Sequence, residues 1–188
     1  MLEAHYNGMI DLPVVFKDDF IGMSVSSTDN TLNWFATVNS GTAAIADSKT
    51  GGQLLITTHT NAYDAVNLQV CGEAFKLAKS KPLYFEAKVN VTDVSLTALF
   101  LGLNIADTDI MVDATGEGAT TDSVGFMWNG TALYCCASKD ATSTFDQKEA
   151  TSPVTVLVDA TEHVLAFEFL GDENRTVNFF VDGVKVGT

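Results

Sequence analysis

Two stretches, VGFMWNGTALYCC (124–136) and VNFFVDGVKV (177–186), decide the fold. Each carries two short apolar runs on either side of an X-Gly dipeptide, Asn129-Gly130 in the first and Asp182-Gly183 in the second. Both dipeptides suit a two-residue type I′ turn, because both central residues of that turn need a positive φ. The two stretches therefore predict β-hairpins, and with them antiparallel β structure that has one buried face.

These turns set a register for each hairpin. The predicted pairs are Val124–Cys135, Phe126–Leu133 and Trp128–Thr131 in the first hairpin, and Phe179–Val186, Phe180–Lys185 and Val181–Val184 in the second. A slip by one residue would scatter these side chains across both faces of the sheet. Trp128 shares its face with Phe126 and Leu133 and is therefore predicted to lie in the core. Trp34 lies in a polar stretch, and the sequence does not predict whether it is buried or exposed.

Further strands follow from alternation along the chain. LYFEAKVNV at 83–91 alternates apolar and polar residues, as a half-buried antiparallel strand does. LTALFLGLNI at 96–105 is apolar on both faces and is predicted to be a central strand. GEAFKLAKSKP at 72–82 is the only predicted helix, of one or two turns ended by its proline. Shorter strands are expected near 33–38, 43–46, 53–60, 65–70, 154–158 and 165–169.

Nine to eleven short strands with almost no helix predict an all-β protein, an antiparallel two-sheet β-sandwich. The sandwich is expected over residues 16–188. Residues 1–15 are expected to form an N-terminal arm, because their apolar side chains fit neither a helix nor a strand period. The apolar residues of this arm, together with one residue on the far face of the second hairpin, are predicted to contact a capsid or another subunit. These residues are Tyr6, Met9, Ile10, Leu12, Val14, Val15 and Phe180.

Composition excludes several classes of function. The chain has 188 residues, of which 46% are hydrophobic, enough for the core of one domain. Its 24 acidic and 10 basic residues give a formal net charge of −14, which argues against binding a nucleic-acid backbone. No apolar run approaches the length of a membrane span, and the first residues do not resemble a signal peptide. Three cysteines form no disulfide framework, which suits synthesis in a reducing cytoplasm.

Residues that could carry catalysis are scattered. Glycosidases need two carboxylates at a set separation, and on sandwiches of this kind these usually lie on one strand in an E-x-D-x-E run, which this sequence lacks. Glu86 and Glu168 each occupy the polar face of an alternating strand. His5, His59 and His163 are far apart and show no metal-ligand spacing. The sequence therefore predicts a protein that is not an enzyme.

One acidic loop is a candidate cation site. Clustered carboxylates on a loop can bind Ca²⁺, but their spacing here does not match an EF-hand. The alternative is an ordinary acidic surface loop of an acidic protein. Both readings remain open, and no other cofactor is expected. The candidate ligands are Asp107, Asp109, Asp113, Glu117 and Asp122.

The order of segments along the chain resembles one family. The segments are FKDDF (16–20), NWFATVNSGTAA (33–44), TGGQLLITT (50–58), EAFKLAKSKPLYFEAKVNV (73–91), LFLGLNIADTD (99–109), VGFMWNG (124–130) and HVLAFEFLGDENRTVNFFVDGVKVGT (163–188). In this order they are similar to the concanavalin A-like (laminin-G-like) jelly-roll domains of tailed-bacteriophage structural proteins, of the capsid-decoration or head-fibre type. The resemblance covers about residues 16–188.

The resemblance implies a non-enzymatic virion protein that decorates and reinforces the outer capsid surface after synthesis in the host cytoplasm. The implied partners are the major capsid protein and further copies of the chain, as a trimer at the three-fold positions of a shell. A lectin-like module that binds surface glycans for host adsorption is the alternative, and a glycan hydrolase is a third. Such domains usually continue beyond the position of Thr188, so the closing edge is expected to be open, or to be covered by a partner or further sequence.

Overall fold

The structure is a computed structural model that describes residues 16–20, 25–26, 34–46, 52–61, 64–70, 75–105, 110, 122–138 and 155–188. The predicted arm, residues 1–15, lies outside the described residues. Within the described ranges the chain forms twelve β-strands and no α-helix. The same ranges therefore contain no helix that is long and apolar enough to span a membrane.

The strands group into four sheets. In chain order they are β1 (Val25–Ser26), β2 (Trp34–Asn39), β3 (Gly41–Ile45), β4 (Leu54–Thr58), β5 (Ala65–Val70), β6 (Leu83–Asn90), β7 (Leu99–Asn104), β8 (Ser123–Trp128), β9 (Leu133–Ser138), β10 (Glu162–Phe169), β11 (Val177–Val181) and β12 (Val184–Gly187). The strand orders are β1-β2-β5, β3-β4, β7-β8-β9 and β12-β11-β10-β6. Every pairing is antiparallel except that of β1 with β2. The predicted all-β, antiparallel class is confirmed.

Aromatic side chains from two sheets meet in one core. Phe167 of β10 stacks on Phe85 of β6, with ring centroids 4.9 Å apart and an interplanar angle of 12°. Phe179 of β11 meets Phe126 of β8 edge to face at 5.5 Å. Burying such a side chain stabilises a fold by roughly 2–3 kcal/mol. The β7-β8-β9 sheet thus packs against the four-stranded β12-β11-β10-β6 sheet, an arrangement consistent with a β-sandwich.

Trp128 closes this core at one end. It is 1% exposed, and its indole N–H donates a 2.8 Å hydrogen bond to the backbone carbonyl oxygen of Val94. A buried indole needs such a partner, because an unpaired N–H in an apolar site is costly. The predicted core position of Trp128 is therefore confirmed.

The alternation predicted for 83–91 is confirmed by β6. Leu83, Phe85 and the other odd-numbered residues are half-buried, and the even-numbered residues are exposed. β6 pairs along its whole length with β10, whose odd-numbered Leu165 and Phe167 are fully buried. Because side chains alternate between faces with period two, this inward set leaves the even-numbered residues of both strands on the outer face.

The first hairpin has a register two residues away from the predicted one. The observed pairs are Trp128–Leu133, Phe126–Cys135 and Val124–Ala137. Of the predicted turn, only Gly130 has a positive φ, 85°. The side-chain oxygen of Asn129 instead accepts hydrogen bonds from the backbone N–H groups of Thr131 at 3.1 Å and Ala132 at 3.0 Å, as in an Asx turn. A shift by two keeps every side chain on its predicted face.

The second hairpin has the predicted type I′ turn. Asp182 and Gly183 both have a positive φ, 51° and 77°. The predicted pairs Phe180–Lys185 and Val181–Val184 are observed. The third predicted pair is wrong, because a bulge places Phe179 opposite Gly187 instead of Val186. Bulges of this kind are frequent at sheet edges, and β12 is the last strand of its sheet among the described residues.

The prediction of a central strand at 96–105 is wrong in two respects, the residue where the strand begins and its position in the sheet. Strand β7 begins only at Leu99, and Leu96 is 85% exposed in the preceding loop. In the described part of the chain β7 pairs with β8 alone and ends its sheet. The centre is taken by β8, which is buried at every position and therefore on both faces.

Two further element predictions are wrong in the described residues. The described part of the predicted helix, residues 75–82, holds a tight turn closed by an isolated bridge between Ala78 and Lys81. The backbone N–H of Ser80 in this turn donates to the carbonyl of Gly171 at 2.7 Å, so the segment is bound to the sheet end instead of coiling. Residues 155–158 form no strand beyond one isolated bridge to β9.

Two glycines allow β7 and β8 to approach closely. Gly102 and Gly125 are direct cross-strand partners. A Cβ added at Gly125 would lie 2.3 Å from the carbonyl oxygen of Leu101, which is backbone and cannot rotate away. Only glycine leaves enough room at this crossing point.

We expect Gly125→Ala to lower the free energy of unfolding by roughly 2 kcal/mol or more, because the backbone of β7 must move away from β8. Gly183→Ala is the matched control, since a Cβ there would meet nothing within 4 Å and would cost only about 1 kcal/mol for its positive φ. Urea denaturation of both variants measures the difference. An effect of Gly125→Ala no larger than that of the control would contradict the close approach.

Candidate functional site

A groove of about 680 Å³ lies on the outer face of the four-stranded sheet, away from the core. Eight residues line it: Tyr84 and Glu86 from β6, Val164, Ala166 and Glu168 from β10, and Phe180, Asp182 and Gly183 from the end of β11 and its turn. The pairing register places most of these residues, together with Asn178, in two rows that run across the strands. The rows are Glu86–Ala166–Phe180 and Tyr84–Glu168–Asn178. The groove is therefore a product of sheet pairing between distant parts of the chain.

The groove exists because β10 carries short side chains between taller ones. Ala166 lies directly between Glu86 and Phe180, and although it is on the outer face it is only 4% exposed. Tyr84 is 62% exposed and stands at one side, while the half-buried Phe180 stands at the other. An aliphatic floor is thus flanked by an aromatic ring on each side.

Negative charge gathers at the Tyr84 side. The Tyr84 hydroxyl donates a 2.7 Å hydrogen bond to the Glu86 carboxylate. This hydrogen bond, together with partial burial and the charges of Glu86 and Glu168, raises the pKa of Tyr84 above its ordinary value. The raised pKa is a local sign of the negative potential that these two carboxylates create.

A third carboxylate is held rigidly at the turn end of the groove. Asp182 accepts a 2.8 Å hydrogen bond from the backbone N–H of Val164 and lies 2.8 Å from Nδ1 of His163. The bond from Val164, followed by the interaction with His163, holds the pKa of Asp182 below its ordinary value. Asp182 was predicted only as a turn residue. In the structure its carboxylate also places a negative charge at the end of the groove, which the Asp-Gly dipeptide alone does not reveal.

Two cysteines lie among the described residues. Cys135 and Cys136 are free, and because they are neighbours on β9 they point to opposite faces of the strand. Cys135 is half-buried and Cys136 is buried. Burial raises the pKa of each thiol to about 12. Since the thiolate is the reactive form, this burial disfavours nucleophilic reactions of both side chains.

The predicted site residues fall in different places. Four candidate calcium ligands, Asp107, Asp109, Asp113 and Glu117, lie outside the described residues, as do Tyr6, Met9, Ile10, Leu12, Val14 and Val15 of the arm. Asp122 directly precedes β8, and its backbone carbonyl accepts a 3.1 Å hydrogen bond from Ile105. The described residues contain no group of three potential metal ligands. Phe180, which was predicted to contact a capsid or another subunit, is half-buried and forms one side of the groove.

The second tryptophan belongs to a separate aromatic cluster. The Trp34 indole N–H donates a 2.5 Å hydrogen bond to Asp18, and its ring lies 5.8 Å from each of the rings of Phe16 and Phe20. Phe75 contacts Phe16 in turn, at 6.0 Å. These contacts bind the FKDDF segment to β2, so Trp34 is a packing residue there.

A second surface is the β3–β4 ribbon, formed by those two strands alone. Ile45 and Ile56 lie on one face and Leu55 on the other, and they are 39%, 45% and 53% exposed. No third strand pairs with the ribbon among the described residues. A two-stranded ribbon is marginally stable by itself, and apolar residues exposed on both faces mark a contact surface.

No family model, no curated protein and no solved structure matches this chain. The groove and the β3–β4 ribbon are therefore interpreted from their own chemistry.

We expect Asp182→Asn to lower the melting temperature at pH 7 by roughly 2 °C. Because the native pKa of Asp182 lies below that of the unfolded chain, its carboxylate stabilises the fold above about pH 3.9, and this contribution disappears as the pH falls through the native pKa. The difference from wild type should therefore shrink toward pH 2. Asparagine keeps a good turn residue at this position, so the comparison isolates the charge.

Glu173→Gln is the control for this measurement, because Glu173 is 77% exposed and forms a surface ion pair with Lys79. It should melt within about 1 °C of wild type at every pH. A difference for Asp182→Asn that is constant from pH 7 to pH 2 would show that the carboxylate charge is not what stabilises the turn.

Proposed function

We propose that this chain is a non-enzymatic virion structural protein that attaches to the outer face of a tailed-phage capsid and reinforces it. The observation that carries the proposal is the β3–β4 ribbon, which exposes Ile45, Leu55 and Ile56 on a protein with a net charge of −14. Mutual repulsion keeps free copies apart, while an apolar ribbon provides a surface for a larger partner. Binding, and not a reaction, is what this combination favours.

The remaining parts of the proposal come from the resemblance to phage jelly-roll domains. They are the concanavalin A-like connectivity of the sandwich, the major capsid protein as partner, and assembly as a trimer on three-fold positions. The apolar arm at 1–15 fits the same role, since an extended segment of this length reaches roughly 45–50 Å and can cross a subunit boundary.

A glycan-binding module for host adsorption is the second candidate. One observation favours it, the groove with Tyr84 and Phe180 on its two sides, because concave sites lined by aromatic side chains and a few polar groups are typical of ligand-binding sites. The capsid role is preferred because it also accounts for the exposed ribbon. A glycan hydrolase is the third candidate, and it would need Glu86 and Glu168 to act as an acid–base pair.

We expect Leu55→Glu to weaken co-sedimentation of the full chain with capsids of its own phage at least about tenfold, because the contact would bury an unpaired carboxylate. The melting temperature of the free protein should change by no more than about 1 °C, since Leu55 is 53% exposed. Pelleting assays over a range of protein concentrations measure the affinity.

Leu96→Glu is the control, because Leu96 is 85% exposed in a loop outside the β3–β4 ribbon and receives the same new charge. It should co-sediment like wild type. The proposal is wrong if wild-type protein stays in the supernatant, and the assignment to the ribbon is wrong if both glutamate variants bind equally well.

A further inference from the structure

We infer that the groove on the four-stranded sheet binds an arginine side chain presented by a partner protein. The inference rests on the proposed function in one respect, that the partner is a protein of the virion. The occupant is identified by three features of the lining: its charge, its two aromatic rings, and the kind of hydrogen bond that its polar groups can make.

The lining carries more negative than positive charge. Asp182 is partnered by His163 at 2.8 Å, and Lys185 of β12 lies on the same outer face directly opposite Phe180, so the negative charge is concentrated at Glu86 and Glu168. Of its eight residues three are acidic, Glu86, Glu168 and Asp182, and none is a lysine or an arginine. Lys88 also points outward from β6, but its ammonium is bound at 3.0 Å by Glu162, which is outside the lining. Carboxylates that share a concave site attract a cation, because each ligand contact reduces their mutual repulsion.

The aromatic rings favour a flat cation. Tyr84 and Phe180 stand on opposite sides of Ala166, and both line the groove. A guanidinium group is planar and weakly hydrated, so it can stack on an aromatic ring while its edge donates to a carboxylate. A lysine ammonium is compact and strongly hydrated, and it gains less from such a surface.

The polar groups of the lining act almost wholly as acceptors. Its three carboxylates only accept hydrogen bonds when ionised, and the Tyr84 hydroxyl already donates to Glu86. An arginine side chain matches this surface, because it has five N–H donors and no acceptor. A neutral sugar presents acceptors as well as donors, and it brings no positive charge to Glu86 and Glu168. The lining therefore fits arginine better than a glycan.

The test is a titration of the full-length, ¹⁵N-labelled protein with the blocked tripeptide acetyl-Gly-Arg-Gly-amide, followed by amide chemical shifts. Saturable shifts are expected at Ala166, Phe180 and Gly183. Glu86→Gln/Glu168→Gln should weaken binding about tenfold, because charge-assisted hydrogen bonds are lost. Phe180→Leu keeps an apolar side chain but removes the ring, and it should weaken binding severalfold.

The matched control is Asp159→Asn/Glu173→Gln, which removes the same charge from two exposed carboxylates outside the groove and leaves the Lys88–Glu162 ion pair intact. It should bind the arginine peptide within about twofold of wild type. Equal weakening in both double variants, or shifts spread over the surface, would show that the peptide follows net charge alone and would overturn the inference.

Two other probes decide between occupants. Equal affinity for acetyl-Gly-Lys-Gly-amide would overturn the preference for arginine. Saturable shifts of the same amides with cellohexaose, in the absence of shifts with the arginine peptide, would make the groove a glycan site. These titrations use no capsid, so they test the groove separately from the capsid function. Arginine binding with failed co-sedimentation would support the arginine site and contradict the capsid function. Co-sedimentation without arginine binding would support the capsid function and contradict the arginine site.

Discussion

The stack of Phe167 on Phe85 is the contact on which the rest of the structure depends. It joins β10 to β6 and presents one apolar face to the β7-β8-β9 sheet, where Phe179 meets Phe126. Since strand side chains alternate with period two, turning these rings inward forces the intervening residues outward. The same register that fills the core therefore builds the groove, and a slip by one residue would remove both together.

How far the sequence predicts this fold is shown by its two hairpins. The Asp182-Gly183 turn and the alternation of β6 were predicted correctly, because φ preference and period two act locally. In the first hairpin the faces were predicted correctly, but the cross-strand pairs were not. The Asn129 side chain accepts the hydrogen bonds of the turn, and the register is moved by two residues. Whether β7 or β8 is the central strand of their sheet depends on which of their faces become buried in the fold. The apolar pattern of each strand alone does not reveal this.

The groove could not be predicted, because its residues come together only through pairing of distant strands. Glu86 and Glu168 were correctly assigned to polar faces, yet nothing in either strand shows that those faces are neighbours. The available signal was Ala166, a small residue in a strand of large ones, which leaves a gap wherever taller side chains flank it. Phe180 was predicted to be a contact residue, and it is half-buried at the side of that gap.

We propose that this protein binds a capsid through its surfaces and performs no reaction. The most direct measurement is a cryo-EM map of phage particles that carry the full chain. The account predicts density on the outside of the shell, arranged around its three-fold positions, into which the sandwich fits with the β3–β4 ribbon toward the major capsid protein. Particles whose outer surface lacks such density, while the protein remains in the free fraction, would contradict it.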